Sequence, residues 1–163
     1  MRFSSRSVFF SLAVSALALL GAGLLLGEWL RLQPCYLCNF QRFLYLVLAF
    51  FALCGALIPG WRRLWSGLIG LTALGGVITA GQQSWMQYAP QLVTECGFGE
   101  PTLLEQIVNW LSLKWPAMFM VTGFCTNKEW VFLGFSLANW SAVCFLILLA
   151  VAVALFFRRK SRR

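Results

Sequence analysis

Four stretches of this chain carry no charged residue and are long enough to cross a membrane, which limits the fold more than any other feature. They cover about residues 8–27, 43–59, 66–83 and 141–157. About 20 apolar residues span a hydrocarbon core, with a range of about 17–25, so the second stretch is at the short limit. The expectation is a single domain over residues 1–163, an all-α membrane protein built as a four-transmembrane-helix bundle. Composition agrees. Sixty per cent of the residues are hydrophobic and 11% are charged, whereas a water-soluble domain carries about a quarter charged residues.

Arg2 and Arg6 ahead of the first stretch also fit the basic start of a signal peptide. The apolar run is too long for one and no small-residue cleavage site follows it, so a retained helix is expected.

Charge placement sets the orientation. The N-terminus, the connection between spans two and three and the C-terminus together hold nine basic residues and no acidic one: Arg2, Arg6, Arg62, Arg63, Arg158, Arg159, Lys160, Arg162 and Arg163. The other two loops, about residues 28–42 and 84–140, hold Arg31, Arg42, Lys114 and Lys128 with all five Glu. Cytoplasmic loops carry the excess of Lys and Arg, so both termini are expected in the cytoplasm and both loops outside it. The net charge of +8 is therefore a topology signal and not a nucleic-acid footprint. Trp29, Trp85 and Trp140 at the outer span ends, with Trp61 and Trp65 at the inner turn, fit interfacial anchors.

In the second loop Pro101 opens the run TLLEQIVNWLSL. Leu103, Leu104, Ile107, Val108 and Leu111 share one face at helical spacing, and Glu105, Gln106, Asn109 and Ser112 share the other. This predicts a short amphipathic helix, either lying on the lipid surface or packed on the rest of the loop.

The chain has no His and no Asp. That excludes a His-ligated haem, Ser-His-Asp chemistry and a His-containing zinc site. Six cysteines are the chemically active side chains that are left. Cys54 and Cys144 fall inside spans and read as small hydrophobes. Cys35 and Cys38 lie in the first loop, Cys96 and Cys125 in the second, all outside the cytoplasm, where disulfides persist.

Cys35-x-x-Cys38 supplies half of a zinc site, but Cys96 and Cys125 form no second close pair. A disulfide across two residues closes a small loop and removes little entropy from the unfolded chain. Its better use is exchange, in which one thiolate attacks and its neighbour resolves. The following helix N-terminus and Arg42, one turn beyond Cys38, both favour a thiolate. Arg42 is alternatively a snorkelling anchor.

These residues resemble the bacterial disulfide bond formation protein B (DsbB) family of membrane thiol–quinone oxidoreductases. The resemblance covers most of the chain: PCYLCNFQR in the first loop, GQQSWMQ at the end of span three, the Cys96 and Cys125 pair, and CTNKEWVFLGFSLANWS running into span four. It implies that a soluble periplasmic DsbA-type thiol oxidase is reoxidised in the inner membrane and that electrons pass to the membrane quinone pool and respiratory chain. Carried over residue by residue, Cys96 receives the partner thiolate, Cys125 is released to attack Cys35, and Cys38 leaves beside a quinone held by Arg42. Quinone is then the electron acceptor, and no metal or nucleic acid is involved.

Members often carry a basic residue in the span-three motif, where this chain has the amides Gln82 and Gln83; these either line the quinone pocket or cap the helix end. Phe124 stands before the last loop cysteine, where a polar residue is common. Two rivals predict otherwise: a structural membrane protein with static disulfides, and a metal-binding membrane protein. A vitamin K epoxide reductase-like order would place the CxxC after the loop pair, and here it comes first.

Overall fold

The computed structural model describes residues 5–89, 102–126, 128 and 130–157. Its elements, in chain order, are α1 (Ser5–Trp29), α2 (Tyr36–Leu57), a 3-10 turn at Pro59–Trp61, α3 (Arg62–Tyr88), α4 (Leu103–Lys114), α5 (Pro116–Phe119), a hairpin of β1 (Val131–Phe132) and β2 (Phe135–Ser136), and α6 (Leu137–Phe157). The helices α1, α2, α3 and α6 are long and apolar enough to cross a membrane. The protein is a four-helix membrane bundle.

Three of the uncharged stretches lie wholly inside these helices, which extend further. The absence of charge marks where hydrocarbon can be crossed, not where backbone hydrogen bonding stops. Thus α2 begins at Tyr36, and Asn39, Gln41 and Arg42 sit within its first two turns. It closes at Leu57 and not at Pro59, because proline has no N–H to continue the ladder and instead opens the 3-10 turn.

The most extensive helix contact is α3 with α6, followed by α1 with α2 and α2 with α3. Small buried residues line these seams: Ala13 and Ala16 in α1, Ala49 and Ala52 in α2, Ala73 in α3, and Ala152 in α6. Between helices in lipid, such residues let backbones approach and gain dispersion contacts. Gly76 is the tightest case. A Cβ there would overlap the ring of Phe145, which is itself fully buried and stacked on Tyr45 with ring centroids 4.2 Å apart. The outward faces carry Phe10, Val14, Leu17, Phe50, Leu71, Ile78, Leu146 and Ile147, all exposed. An apolar exposed belt of this kind is what a bilayer solvates and water does not.

The second-loop elements fold back over the α2 end of the bundle. Thr102 caps α4 in a reciprocal box with Glu105, in which Thr102 N–H donates to Glu105 Oε2 at 2.7 Å. The helix therefore starts at Leu103, and Pro101 lies outside the described residues. Its apolar face divides. Val108 and Leu111 are buried, so that part of the helix packs on the rest of the protein, while Leu103 and Ile107 stay exposed. The basic residues at either chain end, beyond Ser5 and Phe157, also lie outside the described residues.

Gly76→Ala is expected to lower stability by about 1–3 kcal/mol, because the added methyl must displace a ring that has no room to move. Thermal unfolding in detergent measures it, and an unchanged midpoint would contradict the close α3–α6 contact.

Candidate active site

The site is built at the start of α2. Cys35 caps the helix from an extended conformation, φ −85 and ψ 172, with its sulfur accepting from Cys38 N–H at 3.5 Å. That geometry places the Cys35 and Cys38 sulfurs 3.3 Å apart, as thiols. Cys35 is buried, and half-buried Cys38 lines a cavity next to it.

The second loop brings a third sulfur. Thr122 and Gly123 N–H both donate to the Pro34 carbonyl, at 3.0 and 3.3 Å. Two residues further on, the buried Cys125 hydrogen-bonds the Cys35 side chain. Leu37 and Met86 pack around this pair. Of the four loop cysteines, the structure joins Cys35, Cys38 and Cys125; Cys96 lies outside the described residues.

The expected stabilisation of a thiolate does not extend to Cys35. The hydrogen bond with Cys125 and then burial push its thiol up to about 12, outweighing the hydrogen bonds with Cys38 that act the other way. The helix N-terminus does contribute as expected; the neighbouring thiol and the lack of water win. Such a cysteine is a poor nucleophile at neutral pH and better suited to be the sulfur attacked.

The donor aimed at Cys38 is Gln83. Its Nε2 lies 2.9 Å from Cys38 Sγ and 3.6 Å from Cys35 Sγ. Its Oε1 accepts from Gln41 Nε2 at 2.8 Å, which fixes the direction of the amide. Gln41 and Gln83 are both buried. The adjacent glutamines therefore separate: Gln82, about 100° further round the helix, is exposed and is not among the residues lining the cavity. Arg42 is half-buried and lines the cavity together with Cys38. Its Nη1 donates to Asn39 Oδ1 at 3.1 Å and to the Met118 carbonyl at 2.8 Å, so its hydrogen bonds go inward and not to a water-facing surface.

Asn39, Gln41 and Gly123 belong to this site and were not singled out from sequence as functional. The first two had a signal, since they are amides in the opening turns of an otherwise apolar span. Gly123 had none.

The cavity holds about 350 Å³, within the range of small-molecule pockets. Its walls come from α1 between Leu19 and Gly27, from α2, from the start of α6 and from the loop around Trp130 and Phe132. The lining is largely apolar, with Cys38, Arg42, Gln41 and Gln83 together on the α2–α3 side. Cys144, read as a plain hydrophobe, also lines it, whereas Cys54 does not. Among the described residues no group of three or more His, Cys, Asp or Glu is placed to hold a metal.

Four spans, a cysteine pair capping the second and a third cysteine brought onto it define a multi-pass membrane protein with a sulfur cluster at its loop-bearing end. A family model described as "Disulfide bond formation protein DsbB" matches residues 5–155. The chain is 44% identical over 154 residues to disulfide bond formation protein B of Dechloromonas aromatica (strain RCB), covering 94% of this chain and 93% of that one. It is 36% identical over 162 residues to the protein of that name from Aromatoleum aromaticum, covering 97% and 96%. With the protein of the same name from Azoarcus sp. (strain BH72) the identity is 37% over 161 residues, covering 96% and 95%. The chain belongs to the disulfide bond formation protein B family.

With a thiol at about 12, Cys35 in the reduced protein should hold about one part in ten thousand thiolate at pH 8. Its alkylation by iodoacetamide should be slow there and climb about tenfold per pH unit. Cys125→Ala removes the largest raising influence, so it should shift this profile to lower pH. A profile that levels off near pH 8, or that ignores Cys125→Ala, would refute the assignment.

Proposed function

We propose that this protein generates disulfides at the outer face of the bacterial inner membrane, oxidising a periplasmic DsbA-type dithiol protein and passing the electrons to membrane quinone. The observation that carries the reading is the ordered series of Cys125 on Cys35, Cys35 beside Cys38, and Cys38 on the wall of a cavity that also presents Arg42. Static disulfides would not require a second-loop sulfur within hydrogen-bonding reach of the first pair. The basic residues at both termini and at Arg62 and Arg63 support an orientation with those segments in the cytoplasm and the sulfur cluster on the periplasmic side.

The residues divide the work as follows. Cys96 takes the partner thiolate and forms the mixed disulfide, which frees Cys125. The Cys125 thiolate attacks Cys35 Sγ, the Cys35–Cys38 bond breaks, and Cys38 leaves with the electron pair. Gln83 donates a hydrogen bond to that sulfur, at 2.9 Å from its Nε2. Burial of Cys35 keeps the thiols of other proteins from the attacked sulfur.

The cavity fits a quinone ring in chemistry: apolar walls for the ring, and Arg42 with Gln83 as donors for its oxygens at the side where Cys38 lies. A bound quinone supplies a two-electron, two-proton acceptor. Gln82 is exposed and does not line the cavity.

Purified protein, a short-chain quinone and a reduced DsbA-type protein test the reading by quinone absorbance. Loss of quinone should require all three. Cys38→Ser should abolish it, and Arg42→Ala should raise the apparent quinone KM about tenfold or more, as expected for one charge-assisted hydrogen bond, with a smaller effect on the partner KM. Turnover retained in Cys38→Ser would overturn the electron path, and an unchanged quinone KM in Arg42→Ala would overturn the quinone site.

A further inference from the structure

We propose that Asn39 and Gly123 are positioning residues. With the Pro34 carbonyl they form a seat that holds the second-loop segment 118–123 on the CxxC end of α2 and thereby delivers Cys125 to Cys35, a role that rests on the relay proposed above.

The seat is made of backbone contacts, each depending on a feature of the chain's own sequence. Asn39 is fully buried. An asparagine inside a helix adds nothing to the helix ladder, and in an apolar bundle its amide demands partners. Here Nδ2 donates to the carbonyls of Phe119 and Met120, at 2.8 and 3.0 Å. Oδ1 accepts from Arg42 Nη1 at 3.1 Å, so the amide is held in one orientation. Arg42 reaches past it to the Met118 carbonyl at 2.8 Å. Three consecutive loop carbonyls are thus fastened to side chains of α2.

The loop then turns its N–H groups to the first loop, where Thr122 and Gly123 donate to Pro34 O. Gly123 is required for room, not for an unusual backbone angle. A Cβ at this position would overlap the Gln33 carbonyl oxygen and lie 2.8 Å from Gln33 Cβ and 2.9 Å from Gln33 C. Any side chain at 123 therefore pushes the second loop off the first. Cys125, two residues on, moves with it.

The consequence falls on one step. The Cys125 thiolate must approach Cys35 Sγ closely enough for the new S–S bond to form as the Cys35–Cys38 bond breaks and Cys38 departs with the electron pair. One disulfide is made and one is lost, and no outside oxidant is needed. Orientation of this kind is worth large factors in rate, and a displacement of about 1 Å costs about a hundredfold. The seat supplies that orientation for the loop-to-loop step, although Pro34 and Phe124, on either side of the contact, also line the cavity. Gly123 is not among the residues lining the cavity.

The test uses the full-length protein in detergent with Gly123→Ala and Asn39→Leu, and two readouts. In a Cys38→Ser, Cys96→Ser background, a mild thiol oxidant that takes up two electrons and two protons converts the Cys35 and Cys125 thiols into a disulfide, followed by mass spectrometry. The rate should fall about a hundredfold with Gly123→Ala and about tenfold with Asn39→Leu, which keeps the volume and removes the donor. In the otherwise unaltered protein, a small dithiol reduces Cys35–Cys38 directly and bypasses the seat. Quinone reduction driven that way should fall far less in Gly123→Ala than reduction driven by the DsbA-type partner.

Cross-linking at the parent rate in both variants overturns the seat. Equal loss of dithiol-driven and partner-driven reduction in Gly123→Ala would mean a general packing defect; cross-linking in Asn39→Leu then decides, with a slowed rate supporting the seat and the parent rate refuting it. Failure of the relay itself reads differently, as no partner-driven reduction in the parent protein even though its Cys35–Cys125 cross-link forms.

Discussion

Buried carboxamides sit at the loop-bearing end of an apolar bundle, where Asn39, Gln41 and Gln83 each have to find partners. Asn39, Gln41 and Gln83 are buried, where an amide left without a hydrogen bond costs about 1–3 kcal/mol. The way each is satisfied organises the site. Gln41 and Gln83 bond each other across α2 and α3, which turns the Gln83 donor toward Cys38. Asn39 has no such neighbour and takes the backbone of the second loop instead. One requirement, the satisfaction of buried polar groups, thus fixes both the environment of the clustered sulfurs and the path of the segment that carries Cys125.

The membrane makes that requirement strict, and it also explains why the bundle itself is simple. Between the helices the contacts are made by leucines, small residues and a few aromatic rings, with Gly76 tight against Phe145. Outward, large apolar side chains stay exposed. Specificity is concentrated at one end, where α1, α2 and the start of α6 leave a cavity between them. Arg42 serves both parts of that end: its guanidinium lines the cavity and also holds Asn39 and the Met118 carbonyl. Occupation of the cavity and docking of the loop therefore share a side chain.

The spans were legible because hydrocarbon admits few charges, and that absence shows directly in residues 8–27, 66–83 and 141–157. Their ends were less so. The helix α2 starts before residue 43 because Asn39, Gln41 and Arg42 are polar without being helix breakers, and hydropathy alone treats them as loop. Among the site residues, Cys35, Cys38 and Cys125 stand out by type and by their place in the loops. Choosing between Gln82 and Gln83 was beyond spacing, because adjacent positions on a helix differ only in direction, and the packing of α2 on α3 decides which one faces the sulfurs. The Met118 carbonyl that Arg42 holds was equally hidden, since it lies in the second loop, whose path depends on tertiary contacts. Gly123 could not be read at all: the need for an absent side chain appears only when the Gln33 backbone is laid against it.

The central claim is that electrons leave through the cavity that Cys38 and Arg42 share. A photoreactive short-chain quinone, cross-linked to the protein in detergent and mapped by peptide mass spectrometry, tests it most directly. The account predicts that label falls on residues 19–27 of α1, 38–45 of α2 and 137–144 of α6, and that excess unreactive quinone suppresses it. Label confined to the outward faces of α3 or α6, or labelling that excess quinone does not suppress, would contradict it.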